Sequence, residues 1–220
     1  SRERIMSIIA SELTEVKELF AVPRRTEIVE WSGDMEDEDL IEREDMVVTV
    51  TSGGYIKRTA LADFRSQRRG GKGVAGMQTK EEDVITTLFV ANTHTQLLFF
   101  TTDGMVYKLK TWRLPQGGRT SKGKAIVNIL PIPPGVSIAA IMPVDRDEKE
   151  WDDLQVVFAT DHGTVRRNKL SDFTNVKANG KIAMKFEGDS EGWKLINARI
   201  ASNDDDVMLV TNAGRAIRFR

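Results

Sequence analysis

A thirteen-residue phrase occurs four times along the chain, and this repetition limits the possible folds more than any other feature. The copies are VVTVTSGGYIKRT (47–59), LLFFTTDGMVYKL (97–109), VVFATDHGTVRRN (156–168) and VMLVTNAGRAIRF (207–219). Each copy has four mostly apolar β-forming residues, a threonine, two turn residues, a glycine and a second run that carries cations. The threonines are 50, 59 and 51 residues apart. Repeats of this length predict an architecture of stacked units, and these units are all β.

Each copy has the composition of a β-hairpin, because its glycine stands where a tight turn requires positive φ. A second glycine recurs 20–22 residues after the threonine, in GKGVAGM, SKGKAIVNI and ANGKIAMKF. Each repeat therefore has a hairpin, a polar connector and at least one further strand, which is about the four strands of a propeller blade. We predict an all-β, propeller-like domain over residues 26–220, with about four blades. The longer third spacing is explained by VDRDEKEWDD (144–153), predicted to be a surface loop between blades.

Residues 1–25 have a different pattern and predict an amphipathic helix followed by a connector. Apolar residues recur there at steps of three and four, at Ile5, Ile8, Ile9, Leu13, Val16, Leu19 and Phe20. Pro23 marks the end of the helix. A single helix of this length cannot bury such a stripe by itself, so it must pack on the following domain or on a partner helix.

The net charge of −1 hides an uneven distribution of charge along the chain. Residues 1–50 contain 6 Lys and Arg against 14 Asp and Glu, whereas residues 51–124 contain 13 against 5. An acidic lead-in is thus followed by a basic block, a distribution typical of proteins that bind polyanions. A lysine-rich surface with no partner is the alternative. Cysteine is absent, which removes disulfides and thiolate chemistry and is typical of a reducing, cytoplasmic setting.

The sequence contains no constellation of residues that predicts catalysis or metal binding. The stretch QRRGGKG (67–73) is rich in glycine and cations, but Gly73 stands where a nucleotide-binding P-loop needs Ser or Thr after its lysine. The two histidines, His94 and His162, lie in unrelated places. We therefore expect neither a catalytic residue nor a metal ligand in the chain.

Cations recur at equivalent places in the repeats, and this recurrence predicts a basic band around the rim of the domain. Such a band would neutralise phosphates without reading bases. The alternative is that strand positions facing outward are simply polar. The predicted rim residues are Lys57, Arg58, Lys108, Lys110, Arg113, Arg119, Lys122, Lys124, Arg166, Arg167, Lys169, Lys177 and Lys181.

With QRRGGKG inside the first of several β repeats, the chain resembles the C-terminal domain of the DNA gyrase A protein. The stretch is similar to the full-length gyrase A box of that family, whereas topoisomerase IV typically has a degenerate box. The N-terminal helix and PRRTEIVE (23–30) resemble the end of the family's coiled-coil arm and its connector. The resemblance implies a β-pinwheel, a propeller-like disc with strands exchanged between blades, around which duplex DNA bends. The family has about six blades, so four hairpins suggest a partial disc.

The resemblance also implies a role and partners. The box residues would contact DNA and are needed for the wrapping that makes strand passage introduce negative supercoils; they are Gln67, Arg68, Arg69, Gly70, Gly71, Lys72 and Gly73. The implied partners are double-stranded DNA, the rest of the gyrase A protein and the gyrase B protein, in an A2B2 enzyme. No cofactor is implied for this chain, since ATP and Mg²⁺ would bind elsewhere in the enzyme. The alternatives are the corresponding domain of topoisomerase IV and a propeller that acts as a protein-interaction scaffold.

Overall fold

The computed structural model of the protein describes residues 2–22, 26, 37–64 and 83–220. The chain forms two compact units, Ser1–Glu36 and Asp37–Arg220. The first unit contains helix α1 (Arg2–Phe20), whose apolar side chains are exposed. The predicted helix is thus confirmed. In the described part of the chain, no helix combines the length and the apolar character needed to span a membrane.

Apart from short 3-10 helices, the regular secondary structure in the described part of the second unit consists of short strands, as the sequence predicted. Short 3-10 turns such as Thr111–Arg113 and Leu170–Phe173 follow the hairpins. The strands are β1 (Asp45–Thr51), β2 (Tyr55–Ala60), β3 (Ile85–Asn92), β4 (Gln96–Thr101), β5 (Met105–Lys110), β6 (Lys124–Ala125), β7 (Ile138–Val144), β8 (Gln155–Thr160), β9 (Val165–Lys169), β10 (Lys181–Ile182), β11 (Leu195–Ala201), β12 (Val207–Val210) and β13 (Ala216–Phe219).

The strands form four sheets, one for each repeat. Their orders are β3-β1-β2-β6, β10-β5-β4-β7, β11-β8-β9 and β12-β13. The short strand β6 follows β5 in the chain but pairs with β2 of the preceding repeat, and β10 follows β9 but pairs with β5. Neighbouring repeats therefore exchange a strand, which is the β-pinwheel topology that the resemblance implied.

The four hairpin turns have the same geometry, which explains the repeated phrase. The amide of each turn glycine donates to the carbonyl of the repeated threonine at 2.9–3.0 Å. Each of these glycines has φ between 74° and 83°, a conformation that costs residues with a Cβ about 1–2 kcal/mol. The threonine hydroxyl also bonds the backbone four residues later: that of Thr51 accepts from the Tyr55 amide, and that of Thr101 donates to the Met105 carbonyl.

The hydrophobic core lies between the sheets, so the first strand of a central hairpin is buried on both faces. In β4, Leu97 and Phe99 pack with residues of the first repeat, whereas Leu98 and Phe100 pack with residues of the third. All four are at most 1% exposed. This two-sided burial explains why the first two copies of the phrase, in β1 and β4, have apolar residues at successive positions instead of alternating ones.

Most of the insertion at 144–153 is exposed, as expected of a surface loop, but it also contributes one large side chain to this core. Residues Glu148–Asp153 form a 3-10 helix that places the indole of Trp151 between the second and third repeats, with no exposed surface. The indole N–H donates to the carbonyl of Arg146 at 3.1 Å. Trp151 thus fills space between two blades, while the residues around it remain at the surface.

The sheets are arranged with β3, β7 and β11 on the inside. These three strands line a common cavity of about 650 Å³. The opposite edges of the first two sheets are formed by β6 and β10, and that of the third by β9. Side chains on β6, β9, β10 and the connectors are therefore the ones placed at the outer edge of the unit.

Candidate nucleic-acid interface

The outer edge of the second unit carries most of the exposed cations that the sequence predicted for the rim. Each lies on β6, β9 or β10, or on the turns and connectors that follow a hairpin. The exposed members of the predicted set are Arg113, Lys124, Arg166, Arg167, Lys169, Lys177 and Lys181. Exposed side chains with fixed positive charge at one edge are suited to contact phosphates.

The densest part of this edge is β9, where three of five residues are exposed cations: Arg166, Arg167 and Lys169. Lys181 lies on β10, the next strand along the chain, and its ammonium donates to the carbonyl of Asp172 at 2.5 Å. This bond holds the charge beside the turn that follows β9. The third repeat therefore places four exposed cations close together in the chain, on β9 and on β10.

The connector of the second repeat holds two cations against aromatic rings. The ammonium of Lys122 lies 4.0 Å from the centroid of Tyr55, and the guanidinium of Arg113 lies 4.9 Å from that of Trp112. Such contacts restrict long side chains while leaving the charge accessible. Arg119 and Lys122 are half-buried.

Lys57 lies inside the unit, contrary to its predicted place on an exposed rim. Its side chain is fully buried, and its ammonium donates to the carbonyls of Gly118 and Arg119 at 2.9 and 2.7 Å. Burial lowers its pKa from the ordinary value for lysine. Ile56 packs toward the second repeat, so Lys57 points to the opposite face of β2, which the connector covers. The lysine therefore anchors the connector that carries Arg119 and Lys122.

Arg58 and Lys108 are also engaged within the protein. They occupy equivalent positions in their hairpins, and each donates to a backbone carbonyl at the end of the 3-10 turn of the next repeat. Arg58 Nε donates to the carbonyl of Leu114 at 2.9 Å, and Lys108 Nζ donates to the carbonyl of Thr174 at 2.6 Å. Burial lowers the pKa of Arg58 below its ordinary value. These two cations link adjacent repeats.

Glutamates pair with both predicted rim lysines of β5. Lys108 Nζ lies 2.5 Å from Oε1 of Glu148, and Lys110 Nζ lies 3.0 Å from Oε1 of Glu38. Burial alone would raise the pKa of Glu38, but the bonds and charges of Lys110 and His94 lower it, so the carboxylate is ionised at neutral pH. The sequence reasoning missed both glutamates; the acidic composition of 34–45 and of the insertion was the only available signal.

The box residues, from Gln67 to Gly73, lie outside the described residues. Their equivalents in the second and third repeats precede β6 and β10, because Gly123 and Gly180 occupy the position of Gly73 in the aligned connectors. Within the described ranges, no group of three or more His, Cys, Asp or Glu is placed to hold a metal ion.

Comparison with known proteins is consistent with this arrangement. A family model described as "DNA gyrase C-terminal domain, beta-propeller" matches residues 45–92, 95–145, 155–191 and 205–220. The DNA gyrase A protein of Rickettsia bellii is 47% identical over 219 residues, covering 100% of this chain and 24% of the relative. The DNA gyrase A protein of Neisseria gonorrhoeae is 46% identical over 217 residues, covering 99% of this chain and 23% of the relative. The chain thus spans about a quarter of the length of these curated relatives.

Two solved structures have the same fold. A crystal structure of the C-terminal domain of DNA topoisomerase IV superposes with a TM-score of 0.63 at 24% identity, covering 81% of this chain and 52% of that one. A structure of the DNA gyrase A C-terminal domain superposes with a TM-score of 0.59 at 23% identity, covering 80% and 54%.

Proposed function

The chain belongs to the family of DNA gyrase C-terminal domains, and on that premise we propose that it binds duplex DNA at its outer edge and bends it around the unit. The observation that carries the proposal is the placement of exposed cations. Seven predicted rim residues are exposed on outer strands, turns and connectors, while the inner strands line a cavity. A duplex that follows the outer edge would meet these charges in succession.

Contacts of this kind supply affinity without sequence readout. Lysine and arginine neutralise phosphates, release the counterions condensed on DNA, and so give binding that weakens steeply with salt. Bending a duplex costs free energy, which contacts along a curved surface offset. The proposed activity is therefore DNA wrapping, with the curvature set by the unit and the affinity by its charge.

In the intact enzyme, the wrapped duplex would present a neighbouring segment to the strand-passage site in the orientation that yields negative supercoils. The chain itself would be a non-catalytic module without a cofactor of its own. Its partners would be DNA, the rest of the gyrase A protein and the gyrase B protein, in a cytoplasmic A2B2 complex. Two features favour gyrase over topoisomerase IV. The relatives at 46–47% identity are gyrase A proteins, and the box is full length in this sequence.

A triple substitution on β9 tests the role of the outer edge. Binding to duplex DNA weakens with salt, so log affinity plotted against log salt has a negative slope. We expect the triple variant Arg166→Ala, Arg167→Ala, Lys169→Ala to make this slope shallower by about 2 to 3, since each phosphate contact contributes about 0.9. The loss should be the same for unrelated DNA sequences. The measurement is fluorescence anisotropy of labelled duplexes across a salt series.

The matched control removes three exposed cations from the other unit, by Arg2→Ala, Arg4→Ala and Lys17→Ala. The change in net charge is the same, but the proposal gives these residues no contact with DNA, so the slope should stay at the wild-type value. Equal losses of slope in both triple variants would show that overall charge, and not the outer edge, governs binding.

A further inference from the structure

The acidic segment that leads into β1 lies against the turn between β3 and β4. Residues 37–45 contain six acidic side chains and one arginine. Thr93 makes two hydrogen bonds to the segment. Its hydroxyl donates to the carbonyl of Glu42 at 2.8 Å, and its amide donates to the carbonyl of Glu44 at 2.9 Å. A ring nitrogen of His94 lies 2.8 Å from the carbonyl of Ile41. Backbone contacts thus fix the position of the segment.

One carboxylate of this segment reaches a cation predicted for DNA binding. Oε1 of Glu38 lies 3.0 Å from Nζ of Lys110 and 3.1 Å from Nδ1 of His94. The side chains of Lys110 and Glu38 are 32% and 27% exposed, so both groups face a solvent-accessible groove. Lys110 is therefore both accessible to a ligand and already neutralised by an internal acid.

The repeat shows what this position is like without such an acid. Lys169 follows its turn glycine by six residues, as Lys110 does, and it is exposed at the end of β9. Lys110 has an acidic partner from the segment before β1, whereas Lys169 forms no ion pair with any of the described residues.

We propose that the segment 37–45 competes with DNA phosphates for Lys110, with Glu38 as the competing group, so that this lysine is available to DNA only when the ion pair opens. The inference rests on the proposed function and adds a control of affinity to it. A carboxylate tethered beside the lysine acts at a high effective concentration, whereas a duplex competes through many phosphates at once. The segment would therefore weaken binding without preventing it.

The test is the Glu38→Gln variant of the 220-residue chain, with a labelled random-sequence duplex as the probe. Glutamine keeps the size of the side chain and removes its charge. We expect the affinity at about 0.1 M salt to rise roughly 3- to 8-fold and the salt slope to steepen by about 0.9, the value for one additional phosphate contact.

Two further variants separate the proposed mechanism from a general effect of charge. Glu12→Gln makes the same change in net charge on helix α1, where the side chain is exposed and the proposal gives no contact with DNA, and it should raise affinity little. In a Lys110→Met background, Glu38→Gln should add nothing beyond the effect of Glu12→Gln, since the lysine that it frees is gone.

Equal effects of Glu38→Gln and Glu12→Gln would overturn the inference, as would a gain that persists in the Lys110→Met background. Either result would leave the proposed function in place, because wild-type binding with a steep salt slope would still be observed. A wild-type chain that shows no such binding would overturn the proposed function, and the inference with it.

Discussion

We expect an intact gyrase A protein that carries Arg68→Ala, Arg69→Ala and Lys72→Ala, assembled with its ATPase partner, to lose negative supercoiling while it still relaxes supercoiled DNA. The three substitutions remove every cation from the box QRRGGKG. Under the proposed function the box directs DNA around the first repeat, and the sign of supercoiling depends on that path. Relaxation requires cleavage and strand passage, which the proposal assigns to other parts of the enzyme.

Agarose gel electrophoresis of topoisomers measures both activities in the same preparation. The control is Arg68→Lys, Arg69→Lys and Lys72→Arg, which exchanges the side chains and keeps all three charges. It should retain most supercoiling if phosphate neutralisation is the main role of the box. Full supercoiling by the alanine variant would reject the assignment of the box.

The second large effect concerns the exchanged strand β10, and we expect Gly104→Ala to disrupt it. Gly104 has φ 83°, and a Cβ at this residue would lie 2.0 Å from the carbonyl oxygen of Met184. The Gly104 carbonyl also accepts the amides of Ala183 and Met184, at 2.9 and 3.0 Å. The substitution therefore combines about 1–2 kcal/mol of backbone strain with about 1–3 kcal/mol of overpacking, and forces the segment after β10 away from its hairpin.

Gly163→Ala is the matched control, because the repeat places it at the same turn position. Its φ is 79°, but a Cβ there would meet nothing within 4 Å. We expect it to destabilise by the strain alone, about 1–2 kcal/mol. Thermal unfolding should thus give a clearly larger decrease in Tm for Gly104→Ala. Equal decreases would mean that the exchanged strand does not pack on Gly104 as described.

The repeated phrase was sufficient to predict the hairpins, because its turn glycine and threonine have local roles. Gly54 and Gly104 both have positive φ and bond the preceding threonine in the same way. The residues alone did not predict which repeat each connector strand would join. The strands β6 and β10 have only two residues each, and their partners are set by contacts between repeats that are distant in sequence.

The same limit explains why the predicted rim differs from the exposed one. A cation in an outgoing strand predicts an exposed side chain only if that face of the strand meets solvent. The third residue after the turn glycine is Lys57 in the first repeat and Tyr107 in the second, and both are buried. Lys57 donates to the carbonyls of Gly118 and Arg119, and the hydroxyl of Tyr107 donates to the carbonyl of Pro131. Arg166 has the equivalent position in the third repeat and is exposed. Packing between repeats, and not residue type, makes this difference.

The central claim, that the unit wraps duplex DNA around its cationic outer edge, is tested most directly by the end-to-end distance of a duplex. A duplex of about 40 base pairs, labelled at both ends with a donor and an acceptor dye, is titrated with the chain at several salt concentrations. Because bending brings the ends together and phosphate contacts weaken with salt, the account predicts energy transfer that rises on binding at low salt and is lost steeply as salt increases. Binding that leaves the end-to-end distance unchanged, or an affinity that does not vary with salt, would contradict it.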